Sequence, residues 1–202
     1  DISTTKNGTA TGVDACGAVT VTYSDSISNG CGGTKIVSRL WTATDACGNA
    51  TNGLQTITVR DTTPPALKLP TDRVLECPGD TRTSVTGVAT APDACGSVAI
   101  TYSDIVSNSC GSTKTVWRLW TATDQCGNTT NGLQTIVVQD TTKPTITCGA
   151  ISVQCTGDVP PAYTNLAAFL AAGNTASDAC DAALTFALVS ESGLAGSCPA
   201  RM

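Results

Sequence analysis

One segment occurs twice in the chain almost unchanged. It reads WTATDACGNATNGLQTITVRDTT from Trp41 to Thr63 and WTATDQCGNTTNGLQTIVVQDTT from Trp120 to Thr142, with differences at only four aligned positions. The offset is 79 residues (120 − 41 = 79), which suits one small β domain per repeat and exceeds the period of helical solenoids. We therefore predict three domains, formed by residues 1–61, 62–140 and 141–202.

The repeats carry the alternating pattern of β-strands. In segment 35–44, KIVSRLWTAT, odd positions such as Arg39 and Trp41 fall on one face of a strand and even positions on the other. Glycine- and asparagine-rich turns separate such segments, and the prolines of the DTTPP linker end the last one. This pattern predicts an all-β fold of tandem immunoglobulin-like β-sandwich domains.

Apolar neighbours on the odd face indicate that Trp41 and Trp120 belong to the core and do not form a sugar-stacking platform. Arg39 and Arg118 share that face. We expect each to lay its aliphatic stem along the core and to place its guanidinium at a carboxylate or at carbonyl groups. Trp117 falls on the opposite face and is predicted to be an interdomain or intersubunit anchor.

The third repeat contains a segment with helical spacing. In AYTNLAAFLAAG, apolar residues stand at Leu166, Phe169 and Leu170, and Gly173 follows. One short helix is predicted there, and almost none elsewhere.

Composition excludes several functional classes. With 11 Lys and Arg against 16 Asp and Glu, the chain has no basic surface for nucleic acid. No apolar run approaches the roughly 18 residues that span a bilayer. Histidine is absent, so histidine-based triads cannot form. We therefore expect a protein that is not an enzyme, needs no cofactor and does not insert into membranes.

The 11 cysteines point to an oxidising compartment. Domains of about 60 to 80 residues bury a modest apolar core, and disulfides commonly compensate for it. An extracellular or cell-surface location is the expectation.

The motifs WTATDACGN and QTITVRDTTPP, repeated together with DACG and ECPGD, resemble the HYR-like, immunoglobulin-like repeats of very large secreted proteins from Bacteroidetes-type bacteria. The resemblance covers nearly the whole chain. It implies an extracellular structural or adhesive role, as the subunit of a surface fibre assembled head-to-tail. The alternative is a glycan-binding or host-surface-binding module of a large adhesin.

In that family a repeat usually has six cysteines. The second repeat lacks the first and the last, having Leu69 and Gly132 there, which suggests that these two cysteines normally bond to each other. Four cysteines remain in this repeat, and they allow three pairings. They are Cys77, Cys95, Cys110 and Cys126.

Of these pairings we favour Cys95 with Cys110 and Cys77 with Cys126. The same pattern pairs Cys16 with Cys31 in the first repeat and Cys180 with Cys198 in the third.

The end repeats are expected to be incomplete. At the offset of 79, Asp1 falls opposite Asp80, so the first repeat lacks the strand that segment 67–77 supplies to the second. The third repeat stops after the equivalent of Cys110 and so lacks its second half. Cys47 and Cys155 are therefore left without partners in their own repeats. Two explanations stay open: a longer polypeptide supplies the missing parts, or the strand Thr145–Cys155 of one subunit packs on its neighbour, with an intersubunit Cys47–Cys155 bond.

Glycosylation has two kinds of candidate site. Sequons for N-linked glycans start at Asn7, Asn49 and Asn128. The resemblance also implies O-glycans at Asp-Ser/Thr followed by a small or apolar residue. That pattern selects Ser26, Thr62 and Thr141.

Calcium is a further candidate ligand. Asp61 and Asp140 stand in the linkers between repeats, where oxygen ligands stiffen other strings of β domains. The competing interpretation is that these aspartates cap turns through backbone N–H groups.

Overall fold

The computed structural model describes residues 1–154 and 158–187. Its strands are β1 Thr20–Asn29, β2 Lys35–Thr44, β3 Ala50–Val59, β4 Arg73–Glu76, β5 Val98–Asn108, β6 Lys114–Asp124, β7 Thr129–Gln139, β8 Thr145–Thr147 and β9 Thr175–Ser177. Its helices are α1 Thr4–Asn7, α2 Thr83–Thr86 and α3 Leu166–Ala171. The described chain is thus mostly β, which confirms the all-β class.

The first two repeats build related sheets. β1, β2 and β3 form an antiparallel sheet in that order, in which Trp41 of β2 stands opposite Tyr23 and Gly53. In the second repeat the order is β4-β7-β6-β5, and β4 runs parallel to β7. In the third repeat β8 pairs with β9. The second repeat therefore carries one strand more than the first.

Side chains of the central strands β2 and β6 alternate between a covered and an open face. Arg39 is 1% exposed and Trp120 is 2% exposed, which confirms the predicted core position of these two residues, whereas Trp41 is only partly buried. Trp117 and Leu119, on the other face of β6, are 36% and 42% exposed. One face of each sheet is therefore packed and the other is accessible to solvent.

The short helix of the third repeat forms where it was predicted. Asn165 caps α3, with its side-chain oxygen accepting a hydrogen bond from Ala168 N at 2.8 Å, and Phe169 on the inner face is 4% exposed. Gly173 follows the helix with φ +85°. Helices α1 and α2 were not predicted, because a single turn of threonine-rich sequence carries no apolar periodicity.

The described contacts divide the chain into two compact units. The first contains Asp1–Pro70, Val88–Ser103 and Leu119–Leu133. The second contains Thr71–Gly87, Asp104–Arg118 and the chain from Gln134 on. The predicted repeat boundaries stay a prediction.

In the second unit, Arg118 organises the packed face. Its Nε and Nη2 donate to the two carboxylate oxygens of Asp104, each at 2.8 Å. Nη1 donates to Thr86 Oγ1 and Nη2 also to Thr81 O, each at 2.9 Å, so the α2 segment is held against β6. The predicted role of this arginine, with a buried stem and a paired head, is confirmed.

In the first unit, Arg39 makes the corresponding pair. Its Nε donates to Asp25 Oδ1 at 2.7 Å and its Nη2 to Ile2 O at 2.8 Å. The hydrogen bond from Arg39 is the main cause that holds the pKa of Asp25 below its usual range. Desolvation opposes it, and the positive charge of Arg39 adds a smaller lowering effect.

A pH dependence follows from the Asp25–Arg39 pair. Because the folded-state pKa of Asp25 is depressed, the pair stabilises the fold above the ordinary aspartate pKa, and this contribution is lost as the pH falls through the folded-state value. We expect Asp25→Asn to unfold at a lower temperature than the wild type near neutral pH, with the gap closing in acid. Thermal unfolding followed by circular dichroism from pH 2 to 7 measures it. The neighbouring Ser26→Ala, which removes no titratable group, serves as control, and a gap independent of pH would contradict the assignment.

Candidate functional site

The described residues form two disulfides, and each joins one predicted repeat to the next. Cys31 bonds to Cys126 with a Cα–Cα distance of 5.1 Å, across 95 residues of sequence. Cys77 bonds to Cys180 with a Cα–Cα distance of 5.5 Å, across 103 residues. Among the cysteines that the structure describes, the bonded ones thus link successive repeats, and none of them staples a repeat internally.

Strand length explains why the predicted pairs within repeats are wrong. Cys16 and Cys31 flank β1, and Cys95 and Cys110 flank β5. A strand of ten residues extends over roughly 33 Å, whereas bonded cysteines need Cα atoms within about 7 Å. Cys16, Cys95 and Cys110 are free thiols in the structure.

The predicted pair Cys77–Cys126 is wrong for the same reason. Cys77 N donates to Gln139 O at 2.8 Å, at the far end of β7, while Cys126 precedes the start of β7. Cys180 is bonded to Cys77, so its predicted bond to Cys198 is wrong as well. Cys155 and Cys198 lie outside the described residues, and the Cys47–Cys155 bond with them.

The contact between the first and second repeats, here called the first junction, is formed by Cys31, Gly32, Cys95 and Cys126. Gly32 lies in the turn between β1 and β2 with φ +54°, a conformation that favours glycine. A side chain at Gly32 would meet the carbonyl of Cys95 and would stand 3.7 Å from Cys126 Sγ. The turn of the first repeat therefore packs closely on two turns of the second.

The second junction consists of Cys77, Cys110, Gly111 and Cys180. Gly111, at the offset of 79 from Gly32, has φ +58°, and a side chain there would meet the carbonyl of Cys180. Ser112 N donates to that same carbonyl at 3.0 Å. Cys180 thus occupies the place in the second junction that Cys95 occupies in the first.

The turns that bear these cysteines share one construction. In the Asp-Ala-Cys turns, Asp93 Oδ1 accepts from Cys95 N and Asp178 Oδ1 from Cys180 N, each at 2.7 Å. Because an aspartate that caps a turn in this way fixes the backbone of the cysteine, the thiols are presented in a defined direction.

The Asp-x-Cys-Gly-Asn turns are capped more extensively. Asp45 Oδ1 accepts from the backbone N–H groups of Cys47 and Asn49, at 2.9 and 2.8 Å, and its Oδ2 accepts from the Asn49 side chain at 2.7 Å. The Asn49 side-chain hydrogen bond is the main cause that lowers the pKa of Asp45. Asp124 makes the same contacts around Cys126.

The linker aspartates also cap turns. Asp61 Oδ1 accepts from Thr63 N at 3.1 Å and Asp140 Oδ1 from Thr142 N at 3.0 Å. Ligand atoms of Asp61, Asp93 and Cys95 lie within 4.8 Å of one another. Burial, followed by the charges of Asp61, Asp93 and Asp124, raises the pKa of the Cys95 thiol. Calcium at Asp61 and Asp140 stays a prediction.

The predicted O-glycan sites are accessible. Ser26, Thr62 and Thr141 are all exposed. Thr141 is engaged by Glu76: its N donates to Glu76 Oε1 at 2.6 Å and its hydroxyl to Oε2 at 3.1 Å. An O-glycan at Thr141 would replace the second of these bonds.

The predicted N-glycan sites use their amide groups in the fold. Asn7 Nδ2 donates to Asp1 O and Ser3 O, each at 3.0 Å. Asn128 Nδ2 donates to Asp124 Oδ2 at 2.8 Å and to Asp61 O at 3.3 Å. Attachment of a sugar to either nitrogen would replace one of these hydrogens, as it would at Asn49.

Leu69 and Gly132 lie close together. A side chain at Gly132 would stand 2.8 Å from Leu69 Cδ1. The suggested bond between the first and last cysteines of the resembled repeats stays a prediction.

The longest helix of the described chain, α3, has six residues, so none of the described helices is long and apolar enough to cross a membrane.

Comparisons of the chain with protein-family models, with curated proteins and with solved structures found no match.

Proposed function

We propose that this chain is a structural segment of an extracellular fibre, made of tandem immunoglobulin-like domains in which each domain is covalently tied to the next. The observation that carries the proposal is the pair of disulfides Cys31–Cys126 and Cys77–Cys180, each of which connects consecutive repeats. Disulfides that join neighbouring domains restrict their relative motion, which a fibre requires and an isolated binding domain does not.

The chemistry of the surface supports the same role. Disulfides persist in oxidising compartments, which agrees with an extracellular location. Exposed threonine residues at the linkers, such as Thr62 and Thr141, offer hydroxyl groups for O-glycans. We propose that the fibre is decorated with such glycans and associates with further copies head-to-tail.

Imaging tests the fibre proposal. Purified wild-type chain and a Cys126→Ser/Cys180→Ser variant would be examined by negative-stain electron microscopy and small-angle X-ray scattering. We expect extended particles or filaments from the wild type, and a broader distribution of shapes with a larger radius of gyration from the variant. Cys148→Ser, which removes an exposed free thiol, is the matched control and should behave as wild type.

Two results would count against the proposal. One is a wild type whose particle shapes do not change when both disulfides are removed. The other is a monodisperse monomer that binds a glycan array, which would favour the alternative of a glycan-binding or host-surface-binding module.

A further inference from the structure

No strand of the described chain pairs with the outer edge of β3, whereas β4 covers the corresponding edge of β7. In the second repeat, β4 pairs in parallel with Ile136–Gln139. Of the equivalent stretch in the first repeat, 57–60, residues 57–59 belong to β3, the outermost strand of the sheet β1-β2-β3, and Arg60 directly follows it. Val138 is 2% exposed, whereas its counterpart Val59 is only partly buried. An unpaired edge of this kind accepts an added strand.

A free thiol lies where the cysteine after such a strand would arrive. Cys77 directly follows β4 and bonds to Cys180. Cys95 is the counterpart of Cys180: it packs on Gly32 in the first junction as Cys180 packs on Gly111 in the second. Unlike Cys180, however, Cys95 is unbonded. A cysteine placed after a strand on β3, as Cys77 is placed on β7, would therefore meet Cys95.

The linker offers a third matching element. The carboxylate of Glu76, the last residue of β4, accepts from the backbone N–H and the hydroxyl of Thr141. Thr62 is the counterpart of Thr141 and is exposed. Together with Val59 and Arg60 it lines a cleft of about 320 Å³ that also reaches Cys126. The cleft thus presents donors for a glutamate in the equivalent position.

We propose that the β3 edge, Thr62 and Cys95 form a capture site for an extended segment of the Val-Leu-Glu-Cys type carried by a further repeat of the same kind. The segment pairs in parallel with residues 57–60, its glutamate accepts hydrogen bonds from Thr62, and its cysteine bonds to Cys95. The Cys95 thiol and the thiol of the segment are oxidised by a small disulfide. They form the new disulfide, and the small disulfide is released as two thiols, so atoms and electrons balance. The site is defined by the described contacts and does not depend on fibre formation.

A synthetic peptide provides the test. It carries the sequence of 72–79, DRVLECPG, with its cysteine as a mixed disulfide with glutathione, and is incubated with the full oxidised chain. The Cys95 thiolate attacks the peptide sulfur, and glutathione leaves as the thiol. Digestion with a protease that cleaves after Tyr102 separates Cys95 from Cys110 before mass spectrometry.

We expect at least tenfold more peptide on Cys95 than on exposed Cys110, although Cys95 is the more buried thiol. Hydrogen exchange of the backbone amides in 57–60 should slow. A scrambled peptide with the same cysteine should lose the preference, Cys95→Ser should capture none, and Cys110→Ser should capture as wild type does.

The opposite pattern would overturn the proposal. It consists of adducts distributed over the free thiols according to exposure, or of equal capture of the scrambled peptide. Should Cys95→Ser misfold, a Cys→Ser peptide at millimolar concentration still tests the strand site, because exchange at 57–60 must slow without any covalent bond. With no peptide added, a dimer joined through Cys95 would identify a second copy as the source of the segment and would support the proposal.

Discussion

Replacing Cys126 with serine is expected to lower the free energy of unfolding by about 4 to 5 kcal/mol. The bond to Cys31 closes a loop of 95 residues, and in the chain-entropy model a loop of about this length restricts the unfolded chain by roughly that amount. The loss should appear as a lower urea midpoint under non-reducing conditions, followed by circular dichroism.

Cys110→Ser is the matched control, because Cys110 stands in the second repeat where Cys31 stands in the first but is unbonded. Its effect should stay within about 0.5 kcal/mol, as for other exposed substitutions. Equal midpoints for Cys126→Ser and Cys110→Ser would show that the Cys31–Cys126 bond does not form in the protein.

Arg118→Met is expected to cost about 3 kcal/mol of unfolding free energy. Methionine retains the apolar stem, but Asp104, Thr86 and Thr81 lose their donor. The Arg118 side chain is 2% exposed and that of Asp104 is 28% exposed, so the stranded carboxylate is partly shielded from water. Removing one partner of a buried ion pair typically lowers the free energy of unfolding by about this amount.

Two comparisons separate loss of the pair from loss of packing. Removing the carboxylate as well, in Arg118→Met/Asp104→Leu, should recover part of the stability, because no charge is left without its partner. Arg82→Met, which breaks the exposed pair with Asp80, should change the urea midpoint little. If Arg118→Met and Arg82→Met had the same effect, the buried network would not be a source of stability.

Local patterns in the sequence predicted the features that depend on neighbouring residues. The alternation in segment 35–44 matches β2, and the buried Arg39 and Trp120 lie on the predicted face. The helical spacing around Phe169 matches α3. These features follow from side-chain periodicity, which the sequence displays directly.

The disulfides could not be predicted in the same way, because pairing depends on where strand ends meet. β1 extends from Thr20 to Asn29, which places Cys16 and Cys31 at opposite ends of a long strand. With that length known, the partner of Cys31 has to come from another repeat, because Cys16 and Cys47 both lie at the far end of the β1–β2 hairpin. The signal that the sequence offered is the Cys-Gly pair in each of these turns, 31–32 and 110–111, since both glycines adopt a positive φ there.

The two disulfides have a mechanical consequence, because the loops they close overlap along the chain. The Cys31–Cys126 loop includes Cys77, and the Cys77–Cys180 loop includes Cys126. If the chain is pulled from its ends, the shortest covalent path from Cys31 to Cys180 runs along residues 31–77 and then through the second bond. That path contains less than a third of the residues between Cys31 and Cys180. The chain would therefore reach its maximum extension early, and the pulling force would act on the sulfur–sulfur bonds before most of its sheets could unfold.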